Sequence, residues 1–114
     1  MPPNRPDWLD IVTHRIRGYW VPYLVIVQHH GMPATSRLAA PVSRSLAGDV
    51  DILAPPIMIG DAVFRVRILD ITAIPLNRLG ETVTSASSER DAIMNAIDIV
   101  LHGYPAGMPR DGYR

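Results

Sequence analysis

Residues 87–104 form the stretch that most constrains the fold, because they predict a single amphipathic helix at the end of the domain. Its apolar side chains recur at helical spacing, on one face of a 3.6-residue period. They are Ile93, Ala96, Ile97, Val100 and Leu101. A helix with one apolar stripe must pack on another surface. Because the rest of the chain predicts strands, we expect one helix lying on a small β-sheet.

Both ends of this helix are marked in the sequence. Ser88 followed three residues later by Asp91 is similar to a capping box, and Glu89 adds negative charge at the positive end of the helix dipole. At the other end, Gly103 suits the left-handed residue that follows a last turn, and Pro105 cannot continue the helix.

The composition indicates a single small domain. The chain has 114 residues, of which 47% are hydrophobic, enough to bury roughly two thirds of the unfolded surface. It contains no cysteine, which excludes disulfides and thiolate metal sites and fits a reducing cytoplasm. We expect a cytoplasmic protein, since no signal peptide is visible and the longest apolar run, Tyr23–Val27, is too short to span a membrane. Eleven acids balance eleven bases, which excludes long-range attraction to bulk nucleic acid and leaves room for a local patch.

The first half predicts three strands. Trp8–Thr13 is the first, and Tyr23–Val27 is the second. The second is apolar on both parities and should therefore be covered on both faces. Arg37–Val42 is a third strand, which Pro41 should restrict to an edge or end early. Residues 43–56 predict a long connection.

The second half contains a hairpin. Ile57–Ile59 and Val63–Ile71 flank Gly60 and Asp61, a two-residue turn that tolerates positive φ. Leu69 breaks the alternation of the second arm, which predicts a bulge or two-sided burial. Later, Ile74–Leu76 can only be an edge or terminal strand because of Pro75, Leu79-Gly80 predicts a turn, and Thr82–Ala86 leads into the helix.

Several short motifs of this half occur together and in order. They are Ile59-Gly60-Asp61, Phe64-Arg65, Asp70-Ile71-Thr72-Ala73-Ile74-Pro75, Leu79-Gly80-Glu81-Thr82-Val83, and Asn95-Ala96-Ile97 with Gly103. In content and spacing this half resembles the CcdB family of toxins from bacterial toxin–antitoxin pairs, and the first half matches more loosely. The domain boundaries that follow are a disordered 1–7, a CcdB-like domain at 8–104 and an extension at 105–114.

The resemblance implies a fold and a function. The fold would be an SH3-like β-barrel with a five-stranded antiparallel sheet, a small second sheet and a C-terminal helix, assembled as a homodimer. The protein would be a non-enzymatic toxin without cofactor or metal that binds the A subunit of DNA gyrase and traps its cleaved-DNA complex, a role tied to plasmid maintenance. A partly disordered antitoxin would neutralise it, and no sequence-specific DNA binding by the toxin alone is expected.

The resemblance also places the gyrase contact at the helix end. The corresponding positions are His102, Gly103 and Tyr104, with Ser87, Asn95 and Asp98 on the exposed helix face. Two differences from the family stand out. His102 replaces a tryptophan, the kind of side chain that dominates a binding hot spot, and ten residues follow Tyr104. A non-toxic, dimeric CcdB-like binding module is therefore an alternative.

Each of these residues also has a purely structural interpretation. His102 can favour the negative end of the helix dipole, Gly103 can end the helix, and Ser87 can act as a cap. Asn95 can simply be solvated. Asp98 places a charge where the family has a neutral amide.

Two other clusters suggest different chemistry. His29 and His30 are adjacent in a predicted loop, and metal binding would need further ligands. Arg65, Arg67 and Asp70 lie on one arm of the hairpin. A related barrel family cleaves RNA with basic and acidic groups, so an endoribonuclease is a further alternative. The structural interpretation of these arginines is a solvent-facing stripe on a half-buried strand.

Overall fold

The computed structural model describes residues 6–29 and 35–103, and within these ranges the chain forms seven strands and one α-helix. The strands are β1 (Asp10–His14), β2 (Tyr23–Ile26), β3 (Ser36–Ser43), β4 (Pro56–Ile59), β5 (Ala62–Val66), β6 (Thr72–Pro75) and β7 (Leu79–Ser85), and the helix is α1 (Arg90–His102). Single turns of 3-10 helix occupy Ile68–Asp70, Leu76–Arg78 and Ser87–Glu89. Several residues discussed above lie outside the described ranges: His30, Tyr104, most of the predicted disordered segment 1–7 and the extension at 105–114, which begins with Pro105.

The strands form one curled antiparallel sheet, which confirms a mostly β fold with a C-terminal helix. The order is β4-β5-β3-β2-β1-β7, and β6 pairs with β3. A separate small second sheet was expected, but all seven strands belong to one sheet. The reason is that β3 pairs along one side first with β6 and then with β5.

The prediction that Pro41 restricts β3 to an edge is wrong, since β3 is the central strand and Pro41 is buried. β3 pairs with β6 through Ala39 and with β5 from Val42 onward. The Pro41 carbonyl accepts a hydrogen bond from the Arg67 amide at 2.7 Å. In an antiparallel strand the N–H and C=O of one residue point to the same side. The missing N–H of Pro41 therefore falls in the gap between the two partner strands.

The predicted hairpin is confirmed, with Ile59 opposite Ala62 and Gly60 at a φ of 61°. Its second arm ends at Val66, before the position of the predicted bulge. Leu69 lies instead in a 3-10 turn with its side chain 68% exposed, so the predicted bulge or two-sided burial is wrong. The broken alternation marked the end of the strand.

The prediction of a turn at Leu79 and Gly80 is also wrong, because these residues begin β7, which pairs with β1. Gly80 is needed for close approach: a Cβ there would lie 2.1 Å from Oγ1 and 2.9 Å from the carbonyl carbon of Thr13. The glycine therefore lets two backbones pack together rather than reversing the chain.

The two-sided burial predicted for β2 is confirmed. Val25 belongs to the core beneath the helix, together with Phe64 and Ile93. Leu24 and Ile26 point to the opposite face and pack in a second core with Ile74. The curled sheet therefore buries both faces of β2, which explains why its sequence is apolar at every position.

The helix begins differently from the prediction. Neither the 3-10 turn at Ser87–Glu89 nor α1 has a side-chain cap, so the predicted capping box of Ser88 and Asp91 is wrong. The chain enters α1 through the 3-10 turn, where the Glu89 amide donates to the Ala86 carbonyl at 2.9 Å. The predicted end is confirmed: Gly103 has a φ of 83° and donates to the Ile99 carbonyl at 2.8 Å.

Burial of the apolar stripe is confined to the first part of the helix. Ile93 and Ala96 are fully buried, whereas Val100 is 40% and Leu101 69% exposed. No helix in the described part of the chain is long and apolar enough to cross a membrane.

Candidate functional site

The C-terminal end of α1 is accessible and has a defined backbone. His102 and Gly103 are both exposed. The left-handed Gly103 closes the last turn through its hydrogen bond to Ile99. The two residues predicted to contact a partner therefore lie on the surface, at the end of a helix whose opposite end is packed on the core. Tyr104, the third predicted residue, lies outside the described residues.

The predicted polar residues of the helix fall along one side of it. Asn95, Asp98 and His102 are spaced at i, i+3 and i+7, which aligns their side chains on one face. Asn95 and Asp98 are half-buried and His102 is exposed. At a rise of about 1.5 Å per residue this row is about 10 Å long. We call Asn95, Asp98, His102 and Gly103 the helix-end surface.

Ser87 does not belong to this surface. It is exposed in the 3-10 turn before α1, where its amide donates to Ser85 Oγ at 3.1 Å. Seven residues separate it from Asn95, and it lies before the first turn of α1. The structure thus brings together four of the predicted site residues and leaves Ser87 apart.

An apolar groove of about 300 Å3 lies beside the end of the helix. The residues that line it are Val27, Leu38, Ile68, Leu69, Ile71, Ile97, Val100 and Leu101. Leu69 and Leu101 are more than two-thirds exposed, and Leu38 is 45% exposed. Helical periodicity predicted a closed core beneath these helical residues and did not indicate the groove. The one available signal was the apolar Leu69 at the point where the strand alternation ends.

Arg67 is engaged in a buried network. Its guanidinium pairs with Asp49, and it donates to Ser43 Oγ and to the Arg44 carbonyl, each at 2.7 Å. The hydrogen bond from Arg67, together with one from the Leu46 amide, lowers the pKa of the Asp49 carboxyl. The side chain of Arg67 is only 8% exposed, so the predicted solvent-facing stripe is wrong at this position.

Arg65 also holds the connection between β3 and β4 in place. It pairs with Asp51 and donates to Ser45 Oγ and to the Ala54 carbonyl, each at 3.2 Å. Arg65 lies in β5 and Arg67 directly follows it, so the two arginines tie residues 43–54 to the end of this strand. Both guanidinium groups thus hold this connection, with side chains only 18% and 8% exposed, whereas the ribonuclease alternative requires basic and acidic groups around a scissile phosphate.

Among the residues that the structure describes, the remaining candidates form no second site. Asp70 is exposed at the end of its 3-10 turn. It lies near Tyr19, and burial together with the Asp70 charge raises the pKa of the Tyr19 hydroxyl. The ring of His29 packs against Trp8 with centroids 5.6 Å apart. Within residues 6–29 and 35–103, no group of three or more histidine and acidic side chains is placed to hold a metal ion.

Comparison with known proteins adds two findings. Residues 13–103 match the family model described as "CcdB protein", and the match ends at the Gly103 that closes the helix. The fold is similar to that of the Mycobacterium tuberculosis toxin MazF-mt6, with a TM-score of 0.61 and 17% sequence identity over 81% of this chain and 95% of that one. At this identity the second likeness concerns the fold. Comparison with curated protein sequences gives no match.

Proposed function

The chain belongs to the CcdB family, whose members are toxins of toxin–antitoxin pairs, and on this basis we propose that it binds the A subunit of DNA gyrase and stabilises the cleaved-DNA complex. The contact is made by the helix-end surface, with Tyr104 continuing it. The protein acts by binding and performs no chemistry of its own.

One observation carries this proposal: the family match extends to a helix end that is exposed and rigidly supported. Ile93 and Ala96 bury the base of the helix in the core, whereas His102 and Gly103 lie free on the surface. A fixed base limits the conformational entropy that binding would cost. The helix end is therefore suited to insert between parts of a larger partner.

The mechanism is a shift of populations. Gyrase alternates between a closed state and an opened state in which the DNA is cut. A ligand that binds the opened state more tightly raises its share without altering any chemical step. To change the ratio of opened to closed gyrase from 1:99 to 99:1, the protein would have to bind the opened state about 10⁴-fold more tightly than the closed state. His102 offers a smaller flat surface than the family's tryptophan, so we expect a weaker contact than a tryptophan would make.

We further propose that the protein is a homodimer whose two copies meet at the apolar groove. Leu69, Val100 and Leu101 are large, exposed and contiguous with the helix end. Contiguous apolar surface of this kind commonly marks an interface. A second copy that covers the groove would place two helix ends near each other. The cognate antitoxin would bind this dimer and remove it from gyrase in the cytoplasm.

A gyrase cleavage assay tests the central proposal. The full chain should increase the yield of linear DNA from a supercoiled plasmid when gyrase and ATP are present, and a chain ending at Leu101 should not. Thermal unfolding of the truncated chain controls for folding, since His102 and Gly103 contribute no buried side chain. No rise in linear DNA with the full chain would refute gyrase poisoning.

A second candidate function is a CcdB-like dimeric module that binds an antitoxin and does not poison gyrase. His102 at the tryptophan position, and the residues that continue past the family match, favour it. A His102→Trp chain that ends at Tyr104 should then inhibit growth when the unaltered chain does not. Failure of this variant to inhibit growth, with its fold intact, would contradict this explanation.

A further inference from the structure

The loop between β1 and β2 carries positive charge and an exposed aromatic ring in one place. Arg15, Arg17 and Trp20 belong to it, and all three are exposed, with Trp20 at 53%. Arg78 is brought alongside by the chain: the Arg15 amide donates to the Arg78 carbonyl at 2.8 Å. We call Arg15, Arg17, Trp20 and Arg78 the arginine patch.

The charges of this patch are not neutralised within the described part of the chain. The ion pairs found there are those of Arg65 and Arg67. Arg15 donates to the Leu79 carbonyl at 3.0 Å, and Arg78 donates to the Arg15 carbonyl at 3.4 Å. Bonds to neutral carbonyls orient a guanidinium and leave its charge and further N–H groups available.

The loop is held in one shape by His14. The His14 Nδ1 accepts from the Ile16 amide at 3.0 Å, so the ring proton is on Nε2, which donates to the Val21 carbonyl at 2.6 Å. A single imidazole therefore bridges both ends of the loop. Gly18, with a φ of 75°, supplies the reversal between them. Because the loop is already ordered, binding through it costs little additional entropy.

We propose that the arginine patch binds single-stranded nucleic acid, with the guanidinium groups on successive phosphates and a base stacked on Trp20. Guanidinium groups match phosphate geometry, and exposed aromatic rings provide stacking platforms for unpaired bases. An isolated charged patch would attract any polyanion, and Trp20 is the feature that favours a nucleic acid over an acidic peptide. The backbone contacts carry no sequence information.

The negative charges around the patch set its limits. Asp70 lies near Tyr19 of the same loop. Glu81, on β7, donates its amide to Thr13 Oγ1 at 3.0 Å, two residues before Arg15. Both carboxylates are exposed, so they oppose part of the positive charge of the arginine patch and limit its affinity for a polyanion.

Fluorescence anisotropy with the full chain tests this proposal, using labelled oligo-dT and oligo-U strands of equal length. Binding should have a Kd of about 10⁻⁴ to 10⁻⁶ M and weaken as salt rises. Arg17→Glu should weaken it about tenfold and flatten the log–log salt slope by about 0.7 or more. Trp20→Ala should weaken it about tenfold and remove the tryptophan quenching that the strand causes. The ratio of the oligo-U to the oligo-dT affinity identifies whether RNA or DNA is the preferred source.

Arg90→Glu is the matched control. Arg90 is exposed and stacks on Trp8, which precedes β1, whereas the patch follows β1. Arg90→Glu changes the net charge by the same amount as Arg17→Glu and should alter the affinity for the oligonucleotides less than about twofold. An equal loss in Arg90→Glu and Arg17→Glu would overturn the proposal, as would no detectable binding at low salt. The proposal would also be overturned if the protein bound polyglutamate as tightly as either oligonucleotide. The same holds if a folded Trp20→Ala variant kept its affinity for the oligonucleotides.

Discussion

The two halves of α1 have the same apolar pattern and different environments. Ile93 and Ala96 are fully buried, in the same core as Leu9, Ile11 and Ala86. Val100 and Leu101, further along the helix, remain 40% and 69% exposed. The first half stabilises the fold, and the second half presents a surface. Helical periodicity indicates that a face avoids water, and it does not indicate which molecule covers that face.

The difference follows from the extent of the core beneath the helix. The first turns of α1 pack on a core to which strands β1 to β5 all contribute residues. Towards the end of the helix, Val100 and Leu101 line the apolar groove together with the 3-10 turn at Ile68–Asp70, whose Leu69 is itself exposed. The end of the helix therefore lies on a groove rather than on a filled core. This arrangement leaves apolar area available to a partner.

The largest effect is expected from Ile93→Ala. Removing a fully buried isoleucine should lower the free energy of unfolding by about 3 kcal/mol, through lost transfer energy and the cavity that remains. Leu101→Ala, the matched change in the exposed half, should cost less than about 1 kcal/mol. Urea denaturation at low protein concentration measures both. Similar losses for the two variants would contradict the division of the helix into two halves.

Leu101→Asp should act on association rather than on folding. A carboxylate in the apolar groove would be desolvated without a partner in a dimer, so the dimer dissociation constant should rise more than about tenfold. Sedimentation equilibrium gives this value directly. Asp98→Ala, on the polar side of the same turn, is the control and should change it little. A dimer that survives Leu101→Asp would place the contact between the two copies elsewhere.

Asp49→Asn tests whether the ion pair between Asp49 and Arg67, like the buried Ile93 side chain, stabilises the fold. The hydrogen bond from Arg67 lowers the pKa of Asp49 in the folded protein below its ordinary value of 3.8. The carboxylate therefore stabilises the fold above that pH, and this contribution is lost as the pH falls through the folded-state pKa. Asp49→Asn should be less stable at neutral pH and lose less stability on acidification. Thermal melts across pH measure this, with Asp51→Asn, whose side chain is 76% exposed, as the control expected to follow the wild type closely.

The smallest effect is expected from Ser88→Ala. A serine that caps a helix contributes about 1 kcal/mol. Because α1 and the turn before it have no side-chain cap, we expect a loss below about 0.3 kcal/mol, well under that of a capping serine. Ser85→Ala is the comparison, since Ser85 Oγ accepts the Ser87 amide. A loss near the full value of a cap in Ser88→Ala would show that the hydroxyl caps the helix in solution.

Local rules predicted the elements that depend on local chemistry. The two-residue turn at Gly60 and the left-handed Gly103 are set by backbone sterics, and both were predicted correctly. The apolar run of β2 also predicted two-sided burial, because each parity must meet its own core.

Three predictions failed because the deciding contacts are distant in sequence. Pro41 is tolerated in a central strand because β3 changes partners there. Gly80 suggested a turn and serves instead for close contact with Thr13. The pairing of Arg67 with Asp49 spans eighteen residues and gave no local signal. For the candidate site, His102 and Gly103 lie on the surface at the end of α1, whereas Ser87 lies in the 3-10 turn before the helix. The contact of these residues with gyrase stays a prediction.

The most direct test of the division between a supporting and a binding half is calorimetric titration of the gyrase A subunit with the full chain. We expect measurable binding that His102→Ala weakens more than about tenfold, while Met94→Ala, a partly exposed residue of the first half, leaves it within about twofold. Equal affinities for the two variants, or the absence of binding by the unaltered chain, would contradict the assignment of function to the end of the helix.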